Sequence, residues 1–212
     1  MTTSPTTTNH PTHQLPTEPA RLAVLLSGGG RTMLNLLDEI NAGRLDAEIV
    51  LVIASRECPG AARARERGIP VEIIPGRIAA QTLQQRLESS RIAWGVLAGY
   101  LQLVDVPPAY AGRMVNIHPA LLPRHGGPGM FGNRVHRAVL DAGETETGCT
   151  VHLVDAEYDQ GKTLLQRRCP VLPGDTPDTL AARVFEQECL AYPEALRALL
   201  REHPAAPTGD TP

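Results

Sequence analysis

Apolar runs alternate along the chain with stretches whose apolar residues repeat at helical spacing. Leu22-Ala23-Val24-Leu25-Leu26 is continuous, as expected of a strand covered on both faces. Met33, Leu36, Leu37 and Ile40 follow at i, i+3, i+4 and i+7, the buried face of a helix that Gly43 closes. A second strand is predicted from Glu48 to Ala54, a short helix from Ala61 to Arg67, and a third strand over Val71-Glu72-Ile73-Ile74. Leu83 and Leu87 mark a helix to about Ser90, Trp94 to Tyr100 reads as the fourth strand with its exit, and Met114 to His118 as the fifth. Regular alternation with short turns predicts βαβ units. The fold class is therefore α/β, a Rossmann-like, mostly parallel sheet with helices on both faces.

Beyond Pro123 the segment from Arg124 to Gly132 is too rich in glycine for a regular element. Asn133 to Ala142 then reads as a helix with Val135, Ala138 and Val139 on one face and Gly143 as its stop. Cys149 to Val154 is predicted as a strand, and Leu164 to Leu172 as a further strand or hairpin arm. Thr176-Pro177 is an N-cap and first-turn pair that opens a closing helical region, and Pro193 is expected to break or kink it.

With 212 residues, one domain over 21–202 is expected, flanked by disordered tails at 1–20 and 203–212 that have little apolar surface to bury. The net charge of −3 and the lack of a basic block argue against nucleic-acid or anionic-membrane partners. No apolar run approaches the roughly 20 residues that span a bilayer, and the Thr/Pro-rich start is no secretory signal. A cytoplasmic protein acting on small molecules, as a monomer or homodimer, is the expectation. Cys58, Cys149, Cys169 and Cys189 are scattered without a C-x-x-C pair, so no metal site is expected.

Asn116 and His118 alternate on the fifth strand and project from one face. In isolation such a pair more often satisfies neighbouring backbone. Ser27-Gly28-Gly29-Gly30-Arg31-Thr32, between a strand and a helix, is a ready anion site, although tight-turn packing explains its glycines about as well. It is neither G-x-G-x-x-G nor a P-loop, so neither NAD nor ATP follows from it. Both features fall at carboxyl ends of strands, hence on one rim of the sheet. His152, near another strand end, and Asp159, in the acidic loop from Asp155 to Gly161, complete a candidate set. An amide and an imidazole can stabilise a tetrahedral oxyanion while a carboxylate takes an amine proton. The acidic run could equally be a solvated loop.

Asn116-Ile117-His118-Pro119-Ala120-Leu121-Leu122-Pro123 resembles the N-I-H-P-S-L-L-P signature of the folate-dependent formyltransferases. Thr150-Val151-His152-Leu153-Val154 followed by Asp159-x-Gly161 is similar to their second signature. Leu97-Ala98-Gly99-Tyr100, the glycine loop, Gln187-Glu188 and Tyr192-Pro193 are most like the members that act on glycinamide ribonucleotide. The resemblance spans about Leu22 to Leu200.

What it implies is transfer of the formyl group of 10-formyltetrahydrofolate, a co-substrate, to the amine of glycinamide ribonucleotide in purine synthesis, with no metal. By the same resemblance Asn116 is the oxyanion donor and His118 the catalytic imidazole. Asp159 orients His118 or relays the proton, and His152 supports Asp159. Gly30, Arg31 and Thr32 would hold the substrate phosphate and Glu188 the ribose hydroxyls. The pterin pocket would be lined by Leu97, Tyr100, Leu101, Gln102, Leu103 and Val104, with Asn116, Val154, Asp155 and Asp159.

The chain departs from the family in its glycine loop, where Gly-Asn-Gly-Ser-Asn is common, and in the longer segment Gly126 to Gly132 beside His118. Gln102 also stands where many members carry Arg, with Arg77 the nearest stand-in for a second substrate-binding arginine. Rival readings are a formyltransferase of methionyl-tRNA, which carries a further RNA-binding domain, and a formyltetrahydrofolate hydrolase, which carries an N-terminal regulatory domain. A third is a non-catalytic nucleotide- or folate-binding protein, which the presence of Asn116, His118 and Asp159 disfavours.

Overall fold

The structure, a computed structural model, describes residues 18–203. Seven strands form one sheet: β1 (Ala20–Leu26), β2 (Ala47–Ala54), β3 (Val71–Ile73), β4 (Trp94–Leu97), β5 (Met114–His118), β6 (Glu146–Leu153) and β7 (Thr163–Pro170). Their order is β3-β2-β1-β4-β5-β6-β7. The pairs from β3 through β5 are parallel, while β5–β6 and β6–β7 are antiparallel. The mostly parallel α/β sheet expected from the sequence is what forms. β1 is central and almost wholly buried, as its unbroken apolar run requires. The chain runs to opposite sides of β1, so a crevice opens between the carboxyl ends of β1 and β4.

The helices are α1 (Arg31–Asn41), α2 (Pro59–Arg65), α3 (Ala80–Ser89), α4 (Asn133–Asp141) and α5 (Pro177–Glu202), with a 3₁₀ turn at Pro108–Tyr110. Period-two alternation in β1 sends Leu22, Val24 and Leu26 to one face, against Met33 and Leu36 of α1, Val139 of α4 and Leu196 of α5. Ala23 and Leu25 face the other way, against Leu83 and Leu87 of α3 and Tyr110. Helices thus cover both faces.

Two expectations need correction. β6 begins at Glu146, ahead of Cys149, and pairs with β7 along its length. Gly148 lies inside β6, in close approach to the Arg167 backbone, where a Cβ would collide. Pro193 neither ends nor divides α5, which runs unbroken past it. Proline supplies no N–H to the carbonyl four residues back, that of Cys189. Asn35 of α1 fills the gap, its Nδ2 donating to the Cys189 carbonyl at 3.1 Å.

The expected tails lie mostly outside the described residues. At the boundary, Ala20 already pairs with Ala47 in β1–β2.

Candidate active site

Strand register assembles the first half of the site. In the β5–β6 ladder Asn116 stands opposite His152 and His118 opposite Thr150, so directly facing side chains share one face. Asn116 Nδ2 lies 3.1 Å from His152 Nε2. The other ring nitrogen, His152 Nδ1, sits 2.9 Å from the Leu153 carbonyl, which can only accept. A proton is thereby fixed on Nδ1, leaving Nε2 to accept one N–H of Asn116. The second Asn116 N–H remains for a ligand oxygen.

Loops supply the other half. Asp159, at the end of the acidic loop, turns back towards β5 and places Oδ2 at 3.4 Å from His118 Nδ1 and Oδ1 at 3.6 Å from His152 Nε2. The Gly127 N–H donates to the same carboxylate at 2.9 Å. His118 Nε2 donates to the His125 carbonyl at 2.8 Å. With Nε2 so protonated, Nδ1 carries a hydrogen towards Asp159 only in the imidazolium form. Asp159 and His125 both hold left-handed backbone, φ 58° and 57°, which side chains other than glycine seldom adopt. Both strained residues touch His118, the kind of place where such strain collects.

Burial and charge act against each other here. His118 and His152 are almost fully enclosed. Burial lowers the His118 pKa below the ordinary histidine value, opposed by the Asp159 charge and the His125 carbonyl. For Asp159 burial acts upward, but the two imidazoles and the Gly127 N–H outweigh it and hold the carboxyl below the usual range.

The chain leaving β5 is pinned by Thr150, which donates to the Ala120 carbonyl at 2.7 Å and accepts from the Leu122 N–H at 3.0 Å. Gln166 Nε2 adds bonds of 2.9 Å to both the Leu122 carbonyl and Thr150 Oγ1.

The glycine turn forms a further part of the surroundings. Gly30, at φ 75°, caps α1 without a side-chain hydrogen bond, and a Cβ on it would sit 2.8 Å from Gly60 Cα. Its lack of a side chain serves the turn and the packing of α2. Arg31, the first residue of α1, lays its guanidinium 4.1 Å from the centroid of the Phe185 ring on α5. Burial raises the Glu188 carboxyl to about 7, against the pull of Arg31.

One cleft of about 470 Å³ joins these groups. Every residue that the sequence nominated for the site lines it except Gly30. Arg77 is also absent from its walls and is paired instead with Asp105. Two buried polar atoms without a hydrogen-bond partner, Tyr100 Oη and His136 Nδ1, belong to residues of this wall. Burial pushes the His136 imidazole down to about 4.

The sequence profile of the formyl transferase family matches residues 20–196. The chain belongs to the formyl transferase family. It is 38% identical over 197 residues to a phosphoribosylglycinamide formyltransferase of Arabidopsis thaliana named as chloroplastic, covering 87% of this chain and 68% of that one. It is 40% identical over 190 residues to a trifunctional purine biosynthetic protein of Drosophila pseudoobscura pseudoobscura, covering 84% of this chain but only 14% of the relative. The crystal structure of glycinamide ribonucleotide transformylase 1 from Symbiobacterium toebii superposes with a TM-score of 0.80 at 34% identity, covering 87% of this chain and 89% of that one.

Sequence reasoning missed several parts of this formyl transferase site. Phe185 draws notice only as an apolar residue of the closing helix, and His136 draws none. The His125 carbonyl and the Gly127 N–H are backbone groups, invisible to residue type. The run of glycines around them was the one available signal, since it frees main chain to approach side chains closely.

Proposed function

We propose that the chain transfers the formyl group of 10-formyltetrahydrofolate to the primary amine of glycinamide ribonucleotide, in de novo purine synthesis. The observation that carries this reading is the convergence of Asn116, His118, His152 and Asp159 in one cleft that Arg31 and Thr32 of α1 also line. Its volume of about 470 Å³ is in the range of sites that hold small ligands.

The amine attacks the formyl carbon, and the carbonyl oxygen becomes an oxyanion. The second Asn116 N–H and the imidazolium of His118 stabilise that charge. Asp159, directly or through one water, takes the proton the attacking nitrogen loses. When the bond from carbon to the folate nitrogen breaks, the proton held by Asp159 passes to that nitrogen, the carbonyl re-forms and the amide product is released. His152 holds Asn116 in position. Residues 101–104 with Leu97, Tyr100, Val154 and Asp155 form the pterin wall, while Arg31, Thr32 and Glu188 take the phosphate and ribose. Gly30 contributes by shaping the turn.

No helix among the described residues is long and apolar enough to cross a membrane. The proposal keeps the expected cytoplasmic setting and a monomer or homodimer, which cell fractionation and sedimentation would check. The deciding experiment is formyl transfer from 10-formyltetrahydrofolate to glycinamide ribonucleotide, with water and methionyl-tRNA as control acceptors. Formylation of either control in preference to glycinamide ribonucleotide would overturn the proposal.

A further inference from the structure

Arg31 is badly placed for stability and well placed for a ligand. It is the first residue of α1, where the unpaired N–H groups already make the helix end positive. No acidic residue occupies that first turn, and the cap residue Gly30 offers no side-chain acceptor. A cation there adds like charge to like charge. Nor is it neutralised elsewhere, because among the described residues Arg31 forms no ion pair. Its contact is with the Phe185 ring, 4.1 Å from the centroid. Glu188, three residues further along α5 and so on the same face, lines the cleft with them without bonding Arg31.

An aromatic face suits an arginine that must stay available. A carboxylate partner would hold the guanidinium but also cancel its charge and occupy its N–H fork. A ring attracts the cation through its quadrupole while leaving the edge N–H groups for a planar or bidentate acceptor. Pinning an otherwise exposed, rotamer-rich side chain also lowers the entropy lost when a ligand binds. The acceptor that fits an uncapped helix start plus one free guanidinium is a phosphate monoester.

We infer that Phe185 is a positioning residue, its ring holding Arg31 at the start of α1 so that the guanidinium and the first-turn N–H groups together receive the phosphate of the amine substrate. The inference rests on the reading given under Proposed function. On this account acceptor binding in this chain depends on a residue of α5 that never needs to touch the substrate.

The test compares wild type, Phe185→Leu, Phe185→Trp, Arg31→Met and the double variant Arg31→Met/Phe185→Leu. Binding of inorganic phosphate is measured by calorimetry, with KM for glycinamide ribonucleotide and for 10-formyltetrahydrofolate beside it. Phe185→Leu keeps apolar volume but loses the ring, and should weaken phosphate binding about two- to fivefold. KM for the ribonucleotide should rise in step, with kcat and folate KM unchanged. Arg31→Met should weaken phosphate binding by about tenfold or more. The double variant should match Arg31→Met alone, because Phe185 acts through Arg31. Phe185→Trp should bind phosphate at least as well as wild type. The inference is overturned if Phe185→Leu leaves phosphate binding unchanged, if its effect persists in full without Arg31, or if Phe185→Trp behaves like Phe185→Leu. A thermal melt of each variant separates these results from simple loss of folding. The phosphate measurement decides the matter whether or not the ribonucleotide is formylated, so failure of the proposed activity would show separately.

Discussion

Replacing Asp159 with Asn removes the proposed proton acceptor and also its charge beside His118, and the pH profile separates the two. The amide keeps the size of the side chain, and its oxygen can still accept the Gly127 N–H. What is removed is a negative charge 3.4 Å from His118 Nδ1. Two unit charges at that distance attract by about 5 kcal/mol at an effective dielectric of about 20. Screening through the open cleft reduces this, and a neighbouring opposite charge commonly shifts a pKa by about 1–3 units. Burial already holds the His118 pKa below its ordinary value, with Asp159 as the largest opposing influence. Loss of that influence must therefore lower it further. If the imidazolium is the working form, kcat at neutral pH falls about 10- to 1000-fold, in proportion to the lost protonated fraction. The assay is kcat at saturation in both substrates across the range in which histidine titrates. The alkaline limb of the profile should move to lower pH by the same 1–3 units, with activity partly recovered on acidification. A loss that is equal at every pH, with the limb unmoved, would refute the argument and leave Asp159 acting only as the proton acceptor.

Further outcomes follow from other contacts. Asn116→Ala should lower kcat about 10²–10³-fold with little change in KM, since it removes an oxyanion donor; a large KM rise at intact kcat would contradict that role. Glu188 has its carboxyl raised from 4.5 to about 7 in the folded state, so the folded protein holds that proton more tightly than the unfolded chain. Its contribution to stability is fully present below about pH 4.5 and is lost as pH rises through 7, at most about 3 kcal/mol. Glu188→Gln should flatten that part of the Tm-against-pH curve, and an unchanged curve would show that Glu188 does not contribute the slope. Asn35→Ala should destabilise by about 1–2 kcal/mol by leaving the Cys189 carbonyl unpaired, and Pro193→Ala in that background should recover part of the loss in a denaturant melt.

The parallel half of the sheet was legible because each strand is a closed apolar run between turn signals. Helix periodicity placed α4 to within a residue of its ends and α1 to within about two. Legibility fell where a local rule was overruled by a distant partner. Pro193 carries a helix-breaking signal, and only the amide of Asn35, far away in sequence, removes its consequence. The strand expected from Cys149 starts at Glu146 because β7 pairs with that earlier stretch and its backbone closes on Gly148. In the site, Asn116 and His118 could be paired by strand alternation alone, but the partnership of Asn116 with His152 depends on strand register. Asp159 depends on a left-handed residue folding a loop back towards β5, and nothing in residue type announces that.

The cleft draws its walls from separate stretches of chain. Asn116, His118, His152 and Asp159 belong to β5, β6 and the loop beyond, whereas Arg31, Phe185 and Glu188 belong to α1 and α5. Among these groups the recorded hydrogen bonds and ion pairs stay within the first set, and the ring contact within the second. Inheritance can therefore act on the two sets at different rates. On the proposed assignment, a lineage that exchanges Arg31 and Phe185 for another arrangement would alter which amine is brought in and leave the formyl chemistry untouched. A laboratory seeking a new acceptor has the same freedom: diversify positions 31, 185 and 188, and leave the strand-borne amide and imidazoles alone.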